Sequence, residues 1–110
     1  ALYHRHFKTQ YPCEIHHADA FEYVKTENNC YNLIVVDLFD DLKTVPFIYS
    51  AEFTNALINL LEPGGILIYN TVESESDKAG RMELLAHLSG HFKEVKVQEF
   101  QEINRIITAK

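Results

Sequence analysis

The run Leu33-Ile34-Val35-Val36, closed by Asp37, constrains this chain more than any other stretch. Three of its four residues are β-branched, and a short continuous apolar run of this kind reads as a strand buried on both faces. It ends in carboxylates at Asp37, Asp40 and Asp41. In open α/β sheets, ligands lie beyond the carboxyl ends of the strands. A buried strand that delivers an acid to that edge is therefore a candidate active-site strand. The competing reading is local, because Asp also favours turns, where its side chain bonds nearby backbone.

Other elements alternate around this strand. Ala1 to Gln10 reads as the end of a helix, broken by Tyr11-Pro12, and the sequence is expected to continue upstream of Ala1. Cys13 to His17 reads as a strand leading into Ala18-Asp19-Ala20. A short helix follows, about Ala20 to Thr26, with Phe21 and Val24 inward, and then a turn at Glu27 to Cys30. Beyond the central strand, Asp40 to Tyr49 reads as a loop containing Pro46. Ser50 is a good N-cap, and Phe53, Ala56, Leu57, Leu60 and Leu61 recur at helical spacing until Pro63-Gly64-Gly65 stops the pattern.

Ile66 to Thr71 reads as a second apolar strand, leading to Asn70, Thr71 and Glu73, followed by a polar loop from Glu73 to Asp77. A helix is expected over about Lys78 to Ser89, with Met82, Leu85, Ala86 and Leu88 inward and Gly90 near its end. Phe92 to Phe100 alternates, with Val95 and Val97 on one face, and lies close enough to Asn104–Ala109 for an antiparallel hairpin. The alternation defines an α/β fold in one domain, residues 1–110. It predicts a mostly parallel sheet with helices on its faces and a C-terminal antiparallel hairpin.

Composition narrows the function. The formal net charge of −6 argues against a nucleic-acid grip, which needs clustered Lys and Arg, and is compatible with a cationic substrate. No apolar run has the length of a membrane span, and no leader pattern is present, so a cytoplasmic protein is expected. Cys13 and Cys30 stand in no CxxC spacing and read as reduced thiols. His4 and His6 do not share a helix face, and His16 and His17 point to opposite sides of a strand. His87 and His91 are spaced i, i+4, but no HExxH pattern surrounds them. No metal is expected.

Together, Asp19-Ala20, Tyr31-Asn-Leu-Ile-Val-Val-Asp37-Leu-Phe-Asp40, Val45-Pro46, Glu52-Phe53, Leu61-Glu-Pro-Gly-Gly-Ile-Leu67 and Asn70 resemble the spermidine synthase family. These are the polyamine aminopropyltransferases, within the Rossmann-like S-adenosylmethionine-dependent methyltransferase superfamily. The resemblance runs through the whole chain but matches only the later part of the family's catalytic domain. It implies that the first two strands of the full fold, with their glycine-rich loop and ribose-gripping acid, are lacking here, so the isolated chain is expected to bind adenosyl nucleosides poorly or not at all and to be inactive without the rest of the full-length protein.

The resemblance implies roles for four residues. Asp19 and Ala20 would bind the adenine of decarboxylated S-adenosylmethionine or S-adenosylmethionine. Asp37 would be the catalytic acid that takes the proton of a small-molecule amine such as putrescine, and Asp40 would help to hold that amine. The competing reading of Asp19 is a helix cap. The chain departs from the family pattern at Ala18, where glycine is usual, at Leu38-Phe39, where two serines are usual, and at Asn70, where glutamine is usual. Methyl transfer, or a non-catalytic interaction domain without the donor site, are the alternative functions. Homo-oligomer formation is left open.

Overall fold

The computed structural model describes residues 18–40 and 43–110. The helix expected over Ala1–Gln10 and the strand over Cys13–His17 lie outside the described residues, as do His4, His6, Cys13, His16, His17 and Asp41. The strands are β1 (Tyr31–Val36), β2 (Phe39–Asp40), β3 (Lys43–Thr44), β4 (Leu61–Val72), β5 (Val95–Phe100) and β6 (Asn104–Ala109). The helices are α1 (Ala20–Thr26), α2 (Ala51–Asn59) and α3 (Glu75–Ser89), with a 3-10 turn at Pro46–Tyr49.

β1 pairs in parallel with β4, and β4 continues antiparallel to β6 and then β5, giving the order β1-β4-β6-β5. The α/β layering and the C-terminal hairpin are as the sequence predicts. Register makes one face of this sheet the core. Val36 lies opposite Tyr69, Tyr69 opposite Ile107, and Leu67 opposite Ala109, and all five are buried. Strand residues alternate between faces, so these positions share a side. Against them pack Ile48, Phe53, Leu57, Leu84 and Leu88. Phe21, Phe47 and Phe53 meet edge-on or tilted at centroid distances of 5.1–5.9 Å, joining α1, the 3-10 turn and α2. Two hydroxyls inside the core face each other, Thr54 Oγ1 and Tyr69 Oη at 3.4 Å, and burial pushes the Tyr69 phenol up to about 12.

Four sequence expectations need correction. β1 is not buried on both faces: Leu33 and Val35 are 53% and 57% exposed. The stretch Asp40–Tyr49 is not all loop, since Phe39 pairs with Thr44 and Asp40 with Lys43 before the 3-10 turn. Pro63-Gly64-Gly65 does not stop α2, which ends at Asn59. The three residues sit inside β4, where the register with β1 jumps from Tyr31↔Leu61 to Leu33↔Ile66. Gly64, at φ +81°, lets the chain make that irregularity.

The fourth correction concerns α3, which begins at Glu75 rather than Lys78. Ser74 caps it by accepting from the Asp77 amide at 3.1 Å. Its buried stripe is Asp77, Arg81, Leu84 and Leu88. Met82 is 62% exposed, and Ala86 is exposed as well. Polar residues occupy this inner stripe because they have partners there: Tyr49 donates its hydroxyl to Asp77 Oδ1 at 2.8 Å, and Arg81 donates to the Val72 carbonyl at 3.3 Å. Gly80 faces the same neighbour, and a Cβ there would stand 2.6 Å from the Tyr49 ring. The orientation predicts that Leu84→Ala costs about 2–5 kcal/mol of unfolding free energy. Met82→Ala is expected to change it by no more than about 0.5 kcal/mol. Urea denaturation of both variants checks this, and the reverse order would contradict the observed face.

Candidate active site at the carboxyl edge of the sheet

Parallel strands end at the same edge, and here the register sets which residues meet there. Val36 is opposite Tyr69, so the next residues, Asp37 and Asn70, emerge side by side. Asn70 Nδ2 donates to Asp37 Oδ1 at 3.2 Å. Asn104, the first residue of β6, donates its Nδ2 to Asn70 Oδ1 at 3.0 Å. Asp37 is exposed, and its Oδ2 takes no hydrogen bond among the described residues. The site thus presents one carboxylate oxygen held by an amide and one open to a ligand. Asp40 lies three residues on, its backbone placed by pairing with Lys43.

Asp19 caps α1, its Oδ1 accepting from the Glu22 amide at 3.1 Å, and its Oδ2 is without a partner among the described residues. The cap read from the sequence is therefore present, and it leaves one oxygen free. Ala20 lines a cavity of about 250 Å³ with Ala18, Tyr23 and Val24. A neighbouring trough of about 260 Å³ shares Tyr23 and Val24 and runs along Tyr31, Leu33 and Val35 of β1. Two larger cavities, about 620 and 460 Å³, lie between α1 and α2 and at the amino end of β4, and neither contains Asp19 or Asp37. Volume alone does not locate the acids. The hydrogen bonds of Asp19 and Asp37 form two separate sets.

Glu27, the C-cap of α1, joins that helix to the start of β1. Its Oε2 accepts from the Tyr23 and Tyr31 hydroxyls, and its Oε1 accepts from the amides of Asn28 and Asn29. The Tyr23 hydroxyl first, then that of Tyr31 and the two amides, hold the Glu27 carboxyl down at about 2. The same bonds hold both phenols above their ordinary value. A second charged group closes the end of β4. Glu73 Oε2 meets Arg81 Nη2 at 2.7 Å and Arg105 Nε at 3.3 Å.

Sequence reasoning singled out Asp19, Ala20, Asp37, Asp40 and Asn70 but missed Asn104 and the Glu73–arginine group. Asn104 is 34 positions from Asn70 and Arg105 is 32 from Glu73, and only the strand order brings such residues together. Three or more His, Cys, Asp or Glu side chains do not gather into a metal-holding group among the described residues. The His87 and His91 rings lie tilted at 46° with centroids 5.0 Å apart, and His87 Nε2 is bonded to Asn55 Oδ1 at 2.8 Å. No described helix is long and apolar enough to cross a membrane.

A parallel pair ending in an acid, helices packed on the sheet's core face and an antiparallel hairpin closing the sheet define a Rossmann-like α/β domain. Within that class, the sequence matches the spermine/spermidine synthase domain over residues 2–101, and the chain belongs to that family. Its fold is similar to the crystal structure of human methyltransferase-like protein 13 in complex with SAH, with a TM-score of 0.73 and 23% identity. The similarity covers 88% of this chain and 48% of that one, so the chain spans about half the length of that structure. At this identity the likeness shows the fold. No protein of curated function matches the sequence.

The Glu27 ties predict an acid-dependent loss of stability. A carboxyl held below its ordinary value contributes stability that is present above about 4.5 and lost as pH falls towards about 2. Thermal unfolding followed over that window is expected to fall less steeply in Glu27→Gln than in the parent chain. Identical slopes would contradict the tie.

Proposed function

We propose that the protein is a spermidine synthase-like transferase that moves an aminopropyl group from decarboxylated S-adenosylmethionine to a small amine such as putrescine. The observation that carries this reading is Asp37 at the carboxyl edge, with Oδ1 held by Asn70 and Oδ2 open. An amine is protonated at neutral pH and cannot attack carbon until it loses a proton. Asp37 accepts that proton while its charge holds the cation in line. The freed nitrogen pair then bonds the carbon attached to sulfur. The carbon–sulfur bond breaks, its electrons go to sulfur, and methylthioadenosine leaves. Family membership supports the reading.

The residues present fit the donor's nucleobase. Asp19 Oδ2 is free to accept from an adenine amino group, and the first amides of α1, which have no partner within the helix, include that of Ala20. Asp40 follows Asp37 on the same stretch and would add a second negative charge around the amine. A second reading is methyl transfer from ordinary S-adenosylmethionine. It is favoured by Leu38-Phe39, half-buried apolar residues where serines are usual in the aminopropyltransferases, and by the SAH-bound neighbour of similar fold.

The test is product analysis of the full-length protein with each donor and putrescine, by chromatography for methylthioadenosine and spermidine. Aminopropyl transfer is expected, and Asp37→Asn should lower kcat by about 10²–10⁴-fold. Turnover unchanged in that variant would overturn the role of Asp37. Methylated product alone would move the protein to the second reading.

A further inference from the structure

Asp37, Asn70 and Asn104 form a series in which each link limits the next. A carboxamide has two similar ends, an oxygen that only accepts and a nitrogen that only donates. Left to itself, the Asn70 side chain can turn either end towards Asp37. The oxygen end would face a carboxylate with no proton between them. Asn104 adds to the carboxylate's own selection of the N–H end, because its Nδ2 donates to Asn70 Oδ1 at 3.0 Å, and this bond is part-buried. With the oxygen engaged in this way, the N–H end faces Asp37, at 3.2 Å.

Asn104 is in turn set by an unusual turn. The β5–β6 connection carries two successive non-glycine residues in the left-handed region, Gln101 at φ 52° and Glu102 at φ 66°. Such residues are uncommon outside sites where surrounding structure enforces them. Here the enforcement is visible: Glu73 donates its amide to the Ile103 carbonyl at 2.6 Å, and Arg105 Nη1 donates to the Glu102 carbonyl at 2.9 Å. The turn therefore delivers Asn104 to the end of β4, diagonal to Asn70 across the Val72↔Asn104 and Asn70↔Ile106 pairs.

We infer that Asn104 is a positioning residue. By holding Asn70 Oδ1 it aims the Asn70 amide at Asp37 and leaves Asp37 Oδ2 as the oxygen that takes the acceptor's proton. The inference rests on the reading of Asp37 as base, and the experiment separates the two. The Asn70 side-chain NH2 resonances are followed by ¹⁵N NMR as pH is lowered through the carboxylate range, in the parent protein, Asp37→Asn, Asn104→Leu and Asn104→Asp. Leucine keeps the volume but donates nothing. Aspartate keeps the shape but puts an acceptor where the donor was.

In the parent, the Asn70 resonances should move with Asp37 ionisation, and Asp37→Asn should abolish that movement. Asn104→Leu should reduce it at least about twofold, with backbone shifts of β1 and β4 retained, and Asn104→Asp should do the same. In the turnover assay, Asn104→Leu should lower kcat about tenfold with the donor KM unchanged. Asn70 movement in both Asn104 variants equal to the parent's would overturn the inference, whatever Asp37→Asn does to turnover. Full turnover in Asp37→Asn, with the Asn70 response lost in Asn104→Leu, would defeat the base reading while leaving the orientation intact.

Discussion

The parallel pairing of β1 with β4 sets the core and the candidate site with one register. Val36 opposite Tyr69 puts both inward, under α2 and α3, and the same alignment brings the following Asp37 beside Asn70. Strand side chains alternate with a period of two. A slip of one residue would turn Val36 to the outside and carry Asp37 away from its amide. Burial of Val36, Leu67 and Tyr69 is thus what holds an exposed carboxylate in place. The energy resides in the apolar face, and the proposed chemistry lies at its end.

The edge that carries the acids is also tied by a group of charged and polar side chains. Glu73 gathers two arginines, Arg81 reaches back to the Val72 carbonyl, and Asp77 takes the hydroxyls of Tyr49 and Ser74. These groups join α3, the 3-10 turn and the β5–β6 turn to the end of β4. Charged groups that are part-buried are tolerated when their bonds are complete, and a complete set leaves little freedom. Asp37 and Asp19 differ from them, since each keeps one carboxylate oxygen without a partner among the described residues.

Elements whose shape depends on near neighbours were legible in the sequence. α1 follows Asp19, α2 follows the Ser50 cap with its Phe53-Leu57 stripe, and the final hairpin follows the alternation around Val95 and Ile107. What depended on distant neighbours was not. On α3 the expected Leu85 and Leu88 do face the core, but Met82 and Ala86 do not, because Asp77 and Arg81, polar by type, take the inner stripe with Tyr49 and Glu73 as partners. β1 was read as buried because Leu33 and Val35 are apolar, though both are exposed. Of the site, Asp37, Asp19 and Asn70 stood out from strand ends and motif. Asn104 did not, since its partner is 34 residues away and only the β4–β6 pairing brings the two together.

The proposed function puts the acceptor amine on Asp37 Oδ2 and the nucleobase of the donor against Asp19 and Ala20. The decisive measurement is a crystal structure of the full-length protein with methylthioadenosine and putrescine. A putrescine nitrogen within hydrogen-bonding distance of Asp37 Oδ2, with the adenine edge on Asp19 Oδ2 and the Ala20 amide, is the expected result. An amine seated away from Asp37, or an adenine in the cavity at the amino end of β4, would contradict it.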